Sequence, residues 1–378
     1  MKHKQPRSAR QAPRRSALAL AAIALTIPLM VGAKLASTDG VVFSLSNATS
    51  GNGVRVFDRK SDGSLEPRRT VRTGGRGTGS GLGNQGGLAL SDSGNWLLAV
   101  NPGSDSVSVF HVFGKVLLRT DIESSRGMQP ISVTIENDIV YVLNAGSDEV
   151  EGFKLSIFGR LTPIADSRRP LSASGAGAAQ VSFNPSGDLL AVTEKMTNRV
   201  LTFAVDGDGL LGDAHVQDSP GPTPFGFAFG RRDQMLVSEA AGGAMGSSTL
   251  TSWQVHADGS ATPITAAVPS GQTAACWVAV TRDGRFAYVA NTGSNNLSSY
   301  AVAEDGATSL QDAIAAQTGA GSAPSDLALD RNSRFLYALN PGNGTISAFQ
   351  VGADGALQLI EHQAAGAAGS GATGLVAR

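Results

Sequence analysis

The sequence has one cysteine, little charge and few histidines, and each shortage excludes a class of protein. Cys276 has no second cysteine to pair with, so no internal disulfide can stabilise the 378 residues. Charged residues make up 16% of the chain and the formal net charge is −1, which excludes the basic surface that nucleic-acid binding requires. The five histidines lack the spacing of metal ligands. The sequence therefore predicts neither a metal site nor a bound cofactor.

The first 36 residues predict an export signal. Six lysines and arginines fall within residues 2–15, whereas residues 16–33 carry no charge and are rich in Ala, Leu and Ile. This is the layout of a secretory signal peptide, so residues 37–378 are predicted to form a secreted or periplasmic protein. The pair Arg14–Arg15 leaves twin-arginine export open, and a retained membrane anchor is a further alternative. After cleavage we expect a monomer that does not contact the membrane.

A repeated pattern fills the rest of the chain. Residues 94–110, 137–153, 284–300 and 333–349 each contain a short β pattern, a polar turn and a second β pattern that ends in an aromatic residue. Glycine is abundant, at 47 residues, and Asp-Gly pairs mark tight hairpin turns after the second β pattern. Because so small a unit cannot bury its apolar face alone, the copies must pack on one another.

Seven units can be aligned by their closing aromatic residue, with spacings of 43 to 53 residues. This spacing is typical of a four-stranded propeller blade. The sequence therefore predicts an all-β fold, a seven-bladed β-propeller of four-stranded antiparallel blades over residues 37–378, and an open β-solenoid is the alternative. The closing residues are Phe57, Phe110, Phe153, Phe203, Trp253, Tyr300 and Phe349.

The two ends of this region complement each other. Residues 41–47 resemble the second strand of a unit, and residues 373–377 resemble a first strand. We therefore expect the C-terminal strand to complete the first blade and to bring Leu375 close to Val42. Such closure of the ring removes exposed sheet edges, which otherwise promote aggregation.

The motifs YVLNAGSDEV, YVANTGSNNL and YALNPGNGTI resemble the YVTN-type propellers, and more closely the lactonase-type propeller family. Residues 225–240 and 272–280 look like the secreted branch of that family. The resemblance covers nearly all of residues 40–378 and implies 6-phosphogluconolactonase or carboxymuconate cyclase activity for catalytic members. Those members carry a Pro-His-x-His motif before a first strand, where residues 176–183 (AGAAQVSF) contain no histidine. Phe225 and Gly226 replace a later Arg-His pair. These departures argue against a simple transfer of the family's activity.

Two carboxylates are the predicted catalytic pair. In a propeller, the loops that leave second strands and those that enter first strands surround one mouth of the central channel. Glu194 and Glu239 follow second strands in neighbouring blades, where other blades have asparagine. A carboxylate pair there could activate water, and capping of local turns is the alternative role. The predicted ligand-binding residues of the same mouth are Gln129, Gln180, Phe225, Trp277, Asn291 and Asp326.

Two further patterns have structural interpretations. Gly81, Gly83 and Gly86 have the spacing of a dinucleotide fingerprint, but a propeller strand follows instead of a helix. Residues 74–87 are therefore predicted to be a flexible loop between blades. Residues 206–213 (DGDGLLGD) lack the Glu that completes an EF-hand and are predicted to be an outer hairpin.

Two functions remain open from the sequence. The first is an exported propeller that binds a small polar ligand, a glycan or a protein at its channel mouth without the family's catalysis, which the missing histidines favour. The second is a lactone hydrolase or cyclase-like enzyme that uses Glu194 and Glu239. Lactone turnover that is lost in a Glu194→Gln/Glu239→Gln variant would favour the enzyme.

Overall fold

The computed structural model describes residues 1–3 and 39–378. Contacts divide the chain into Met1–Ala36 and Ser37–Arg378, and the second unit contains the fold. Apart from its first three residues, the predicted export signal lies outside the described residues. Within the described ranges, no helix has the length and apolar character needed to cross a membrane.

Strands of the second unit form seven antiparallel sheets, and strands that follow each other along the chain are neighbours in the sheet. Blades 1 to 3 contain β1 (Gly40–Leu45), β2 (Gly53–Arg59), β3 (Leu65–Arg72); β4 (Leu88–Leu90), β5 (Trp96–Asn101), β6 (Ser106–Phe113), β7 (Val116–Ser124); β8 (Pro130–Glu136), β9 (Ile139–Asn144), β10 (Glu149–Leu155), β11 (Leu161–Pro163) and the short β12 (Arg169–Pro170), which also pairs with β10.

Blades 4 to 7 repeat the same meander, and β29 belongs to blade 1. Their strands are β13 (Ala178–Phe183), β14 (Leu189–Glu194), β15 (Arg199–Ala204), β16 (His215–Asp218); β17 (Pro224–Phe229), β18 (Gln234–Glu239), β19 (Thr249–Val255), β20 (Ala261–Pro269); β21 (Ala275–Val280), β22 (Phe286–Asn291), β23 (Asn296–Val302), β24 (Thr308–Gln317); β25 (Asp326–Leu329), β26 (Phe335–Asn340), β27 (Thr345–Val351), β28 (Leu357–Ala364) and β29 (Thr373–Ala377). A 3-10 turn, Ala241–Gly243, follows β18.

The middle strands of each blade are buried because neighbouring blades cover both of their faces. In β9, with the sequence IVYVLN, every residue but the first is buried. The outermost strands face solvent, and in β3 only Leu65 is buried. The seven closing aromatic residues all lie on third strands with at most 2% of their surface exposed. The predicted seven-bladed propeller is therefore confirmed.

The C-terminal strand closes the ring, as predicted. β29 is the inner neighbour of β1, with Ser44 opposite Leu375 and Val42 opposite Ala377. The pairing continues one residue further, because the amide of Arg378 donates to the carbonyl of Val41 (2.8 Å). Blade 1 is thus assembled from the two ends of the folded region, and no edge is left open between blades 7 and 1.

The tyrosine of the repeat joins three blades, blades 3, 6 and 7, to the blade that follows. Its hydroxyl donates to the carbonyl of a glycine in the turn between the third and fourth strands of the following blade. That glycine has a positive φ, which explains why glycine recurs there. The pairs are Tyr141 with Gly209 (2.6 Å), Tyr288 with Gly355 (2.8 Å) and Tyr337 with Gly63 (2.9 Å).

Removal of the Tyr337 hydroxyl is expected to destabilise the protein without changing its fold. In Tyr337→Phe the buried carbonyl of Gly63 loses its donor, which costs about 1–3 kcal/mol. In blade 2, Leu98 occupies the tyrosine position and Thr120 Oγ1 donates to the carbonyl of Gly159 instead (2.9 Å), so we expect Thr120→Val to have a similar cost. Urea denaturation measures both variants, and unchanged unfolding midpoints would contradict this role.

Candidate functional site

The inner strands of the blades enclose a central channel. A cavity of about 420 Å³ occupies the channel and is lined by residues of six inner strands, among them the apolar Leu90, Ile135 and Phe229. The upper face of the propeller is defined here as the face on which second strands end and inner strands begin. The lower face is the one on which inner strands end. The two ends of the channel are built very differently.

Asn84 fixes a segment of chain across the upper end of the channel. Its side-chain amide donates to the carbonyl of Ile131 in blade 3, and its Oδ1 accepts a hydrogen bond from Thr373 in blade 1 (2.9 Å). The carbonyl of Asn84 accepts the indole N–H of Trp277 in blade 6 (2.5 Å). A single residue of the connection between blades 1 and 2 therefore contacts three other parts of the ring.

Gln85 and Gly83 extend these contacts. The backbone amide of Gln85 donates to Ala179 in blade 4 (3.1 Å), and its side chain forms two hydrogen bonds with the backbone of Val278 in blade 6 (2.9 and 3.1 Å). The carbonyl of Gly83 accepts from Lys195 Nζ. Residues 82–87 thus plug the upper end of the channel. The expectation of a flexible loop is wrong for this part of residues 74–87, because side-chain amides anchor it.

Phe225 and Trp277, two of the predicted ligand-binding residues, come together beside this plug. Their ring centroids are 5.3 Å apart, and Lys195 Nζ lies 4.7 Å from the centroid of Phe225. Burial lowers the pKa of Lys195 to about 8. Lys195 and Trp277 donate hydrogen bonds to residues of the plug, and both contact the ring of Phe225. Both rings are buried. The three side chains therefore hold the plug in place. The sequence analysis missed Lys195, although it directly follows Glu194.

The carboxylate of Glu239 is buried and surrounded by donors of its own loops. It accepts hydrogen bonds from the amide of Gly221 (3.0 Å) and from the hydroxyls of Ser219 (3.0 Å), Thr251 (2.6 Å) and Thr249. None of its surface is exposed. Both oxygens thus cap local loops, which is the alternative to the catalytic role predicted for Glu239.

Glu194 has the same arrangement one blade earlier. Its carboxylate accepts from the amide of Ser172 (2.8 Å) and from the hydroxyls of Ser172 and Thr197, and it is also fully buried. Neither Glu194 nor Glu239 lines the channel cavity. The two carboxylates therefore pin the loops that lead from one blade to the next, and their geometry offers no face to a substrate.

Asn291 also serves its own loop. Its side-chain amide donates to Asn296 and Ser298 (both 2.8 Å). Gln129 lies apart from the channel cavity with an exposed side chain, and its backbone amide donates to Asp105 (2.7 Å). The structure therefore does not bring these two predicted ligand-binding residues together with Phe225 and Trp277.

Gln180 and Asp326 do line the channel cavity. The side chain of Gln180 forms two hydrogen bonds with the backbone of Phe227 in the next blade (2.6 and 3.0 Å). Asp326 Oδ2 accepts the amide of Leu375 in the closing strand (3.0 Å), and burial raises the pKa of Asp326 to about 8. Both side chains bridge neighbouring blades, and Asp326 fastens the closure of the ring.

Carboxyl groups stand at the lower end of the same cavity. Glu136 is the last residue of β8, and Asp92 lies in the turn after β4. Burial raises the pKa of Glu136, and the nearby charge of Asp92 raises it further. A carboxylate whose pKa lies closer to neutrality is a more effective general base at neutral pH. The sequence analysis missed both residues because it placed the site on the upper face.

Three arginines also lie at the lower mouth. They occupy the turn after the inner strand in three consecutive blades, 5 to 7, whereas Glu136 and Asp92 belong to blades 3 and 2. They line a second cavity of about 670 Å³ and their side chains are exposed. The arginines are Arg231, Arg282 and Arg331. The residues that line both cavities are Asp92, Pro185 and Phe229.

We call Arg231, Arg282 and Arg331 the arginine arc. Hydrogen bonds between the turns fix the position of part of it. A guanidinium N–H of Arg331 donates to the carbonyl of Asp92, and one of Arg282 donates to the carbonyl of Arg331 (3.4 Å). The backbone amide of Arg282 donates to Ser333 (2.8 Å). A guanidinium carries five N–H donors, so the arc can still bind an oxyanion. The lower mouth thus combines carboxyl groups that can accept a proton with cations that can bind negative charge.

A metal-dependent site finds no support in the described part of the chain. Among residues 1–3 and 39–378, no group of three or more His, Cys, Asp or Glu side chains could hold a metal ion. Cys276 is buried beside Trp277, and burial raises the pKa of its thiol to about 12, which disfavours the thiolate.

A protein-family model described as a lactonase, seven-bladed β-propeller, matches residues 50–169 and 237–326, more than half of the chain. The unmatched residues 170–236 contain Glu194 and Phe225. A search of curated proteins finds no match.

Solved structures share the fold at low identity. A protein from Lactobacillus plantarum has 18% identity and a TM-score of 0.72, over 90% of this chain and 99% of its own. The periplasmic gluconolactonase PpgL from Pseudomonas aeruginosa has 17% identity and a TM-score of 0.72, over 90% and 98%. A protein from Bacteroides fragilis, provisionally named a 6-phosphogluconolactonase, has 16% identity and a TM-score of 0.72, over 92% and 99%.

Proposed function

The chain belongs to the lactonase family of seven-bladed β-propellers, and on this premise we propose that it hydrolyses a small polar lactone at the lower mouth of its channel. One observation carries the proposal. Two cavities of that mouth share Asp92, Pro185 and Phe229; Glu136, a carboxyl group of raised pKa, lines the first, and the cationic Arg231, Arg282 and Arg331 line the second. The upper end, where the sequence placed the site, is closed by residues 82–87.

These groups suit ester hydrolysis. Glu136 takes a proton from a water molecule as the water oxygen attacks the lactone carbonyl, which becomes a tetrahedral oxyanion. The guanidinium of Arg282 stabilises that charge with N–H donors, as an oxyanion hole does. The ring C–O bond then breaks, and the ring oxygen leaves with the proton from Glu136. The product is a hydroxy acid, whose carboxylate the arginine arc also binds.

Export to the periplasm or the medium is part of the proposal. The basic and uncharged stretches of residues 2–33 support it, and a solved structure that shares the fold is a periplasmic gluconolactonase. Neither a cofactor nor a metal is required by the proposed steps, since the chain's own side chains move the proton and bind the charge.

The kinetic test uses a panel of five- and six-membered aldonolactones, with and without a phosphate group, and follows acid release at constant pH above the spontaneous rate. Glu136→Gln is expected to lower kcat by about 10²–10⁴-fold, because the base is lost while the shape is kept. Arg282→Gln is expected to raise KM and lower kcat. Asp138→Asn, two residues beyond Glu136 and exposed in its ion pair with Lys154, is the matched control and should retain full activity.

The outcomes separate this proposal from the binding function that the sequence favoured. Turnover that survives Glu136→Gln at the wild-type rate would remove Glu136 as the base. Saturable lactone binding without turnover by the wild type would instead indicate a binding propeller at the same mouth. As pH rises through the raised pKa of Glu136, the ionised form accumulates, so kcat/KM is expected to rise with pH and to lose that rise in Glu136→Gln.

A further inference from the structure

The lower rim of blades 2 and 3 exposes large apolar side chains on adjacent turns. Ile157 and Phe158 lie in the turn between β10 and β11, and Phe113 and Val116 flank the turn between β6 and β7, with Leu118 next to it. Their exposed fractions are 85%, 76%, 60%, 42% and 57%. We call these five residues the rim patch.

The fold does not require apolar residues at these positions. The turn of blade 3 has the sequence SIFG (156–159), whereas the equivalent turns are KSDG (60–63), DGDG (206–209), HADG (256–259), AEDG (303–306) and GADG (352–355). In each case the final glycine has a positive φ and makes the turn. Only blade 3 replaces the small or polar pair before that glycine with isoleucine and phenylalanine, at the cost of exposing both.

The apolar turns of the two blades form one continuous surface. A Cβ on Gly159 would lie 2.4 Å from the ring of Trp96, so this turn rests on Trp96. Trp96 packs edge-on against His111, with ring centroids 4.7 Å apart, and His111 contacts Phe113 with ring centroids 3.9 Å apart and ring planes tilted by 43°. Leu118 lies opposite His111 in the sheet. The two turns of the rim patch are therefore linked by a chain of ring contacts through Trp96 and His111.

Cations surround the rim patch, and the folded chain begins beside it. Lys115 lies within the β6–β7 turn, and Arg119, Lys154 and Arg160 flank the apolar positions; Lys115 and Lys154 also form ion pairs with aspartates. The carboxylate of Asp39, where the described part of the unit starts, is 4.0 Å from Lys115. The polypeptide that precedes Asp39 carries an uncharged apolar stretch at residues 16–33.

We propose that the rim patch is a membrane-contact surface that binds an anionic lipid bilayer. Aromatic and aliphatic side chains at the tips of turns can insert among lipid headgroups, and flanking arginines and lysines attract anionic lipids. The described part of the fold begins at this same rim, where Asp39 lies beside Lys115. The proposal differs from the expectation that the mature protein does not contact the membrane.

The test is vesicle flotation of the exported protein with phosphatidylcholine alone and with 30% phosphatidylglycerol added. The wild type is expected to float with the anionic vesicles, less so at 1 M salt. Ile157→Ala/Phe158→Asp, which restores a turn like that of blade 5, is expected to weaken binding at least tenfold. Trp96 rests under the turn, so brominated lipids should quench its fluorescence in the wild type and not in this variant.

Ile314→Ala/Leu359→Ser is the matched control. It removes two apolar side chains that are 48% and 47% exposed on outer strands of other blades, and it should bind vesicles as the wild type does. Equal binding by the wild type and the Ile157→Ala/Phe158→Asp variant would overturn the proposal. So would absence of vesicle binding together with a dimer, seen by analytical ultracentrifugation, that this variant loses. In that case the rim patch would be an interface between two copies.

Discussion

Glu239→Ala is expected to destabilise the protein by about 3 kcal/mol or more and yet leave lactone turnover per folded molecule unchanged. Four donors lose their acceptor in this variant: the amide of Gly221 and the hydroxyls of Ser219, Thr249 and Thr251. The amide cannot turn away from its place in the loop, so its desolvation is no longer compensated. The free energy of unfolding in urea and the specific activity at 25 °C measure the two effects separately.

Glu304→Ala provides the control for this prediction. Glu304 is an exposed carboxylate in a turn of blade 6, so its removal should alter neither stability nor turnover. A Glu239→Ala protein of wild-type stability that has lost its activity would contradict the capping role and return the catalytic site to the upper face.

Asp326→Asn is expected to become more stable relative to the wild type as the pH rises. Burial raises the pKa of Asp326 in the folded protein to about 8, whereas the unfolded chain has the ordinary value near 3.8. The folded state therefore holds a proton that the unfolded state releases. This contribution to stability is complete below pH 3.8, declines by about 1.4 kcal/mol per pH unit and is gone above pH 8. Asparagine is uncharged throughout and has no such decline.

The quantity to measure is the difference in unfolding free energy between the two proteins. The other titrating groups contribute equally to both proteins, so their contributions cancel in this difference. From pH 4 to pH 8 it should grow in favour of Asp326→Asn and then stay constant. A difference that moves in the opposite direction would mean that Asp326 is ionised in the folded protein. Its charge would then be stabilised by the backbone amides that donate hydrogen bonds to it, such as that of Leu375. The effect is large because the pKa of Asp326 is about 8 in the folded protein and near 3.8 in the unfolded chain.

The architecture could be predicted because the repeated residues occupy buried positions. The closing aromatic residues, the tyrosines and the Asp-Gly turns recur since each serves a contact between neighbouring blades, such as the hydrogen bond from Tyr288 to Gly355. The outer strands carry a weaker signal. β24 runs for ten residues, Thr308–Gln317, and its exposed face allows almost any polar residue.

The site could not be located in this way, for three physical reasons. The glycines of residues 74–87 indicate flexibility, but the hydrogen bonds of Asn84 and Gln85 to distant blades decide the outcome. Glu194 and Glu239 stand out from the asparagine pattern. The hydroxyls that surround them, however, come from loops whose positions relative to the carboxylates cannot be inferred from the sequence pattern. Glu136 is an ordinary strand-end residue in sequence, and only the closed ring places it at the mouth of a cavity.

The most direct test of the whole account is the crystal structure of the protein with a bound aldonic acid, the hydroxy-acid product of lactone opening. The account predicts density for the ligand at the lower mouth, with its carboxylate on the guanidinium of Arg282 and a hydroxyl near Glu136. Density on the upper face, beside Gln129 and Lys195 with residues 82–87 displaced from the channel, would contradict it.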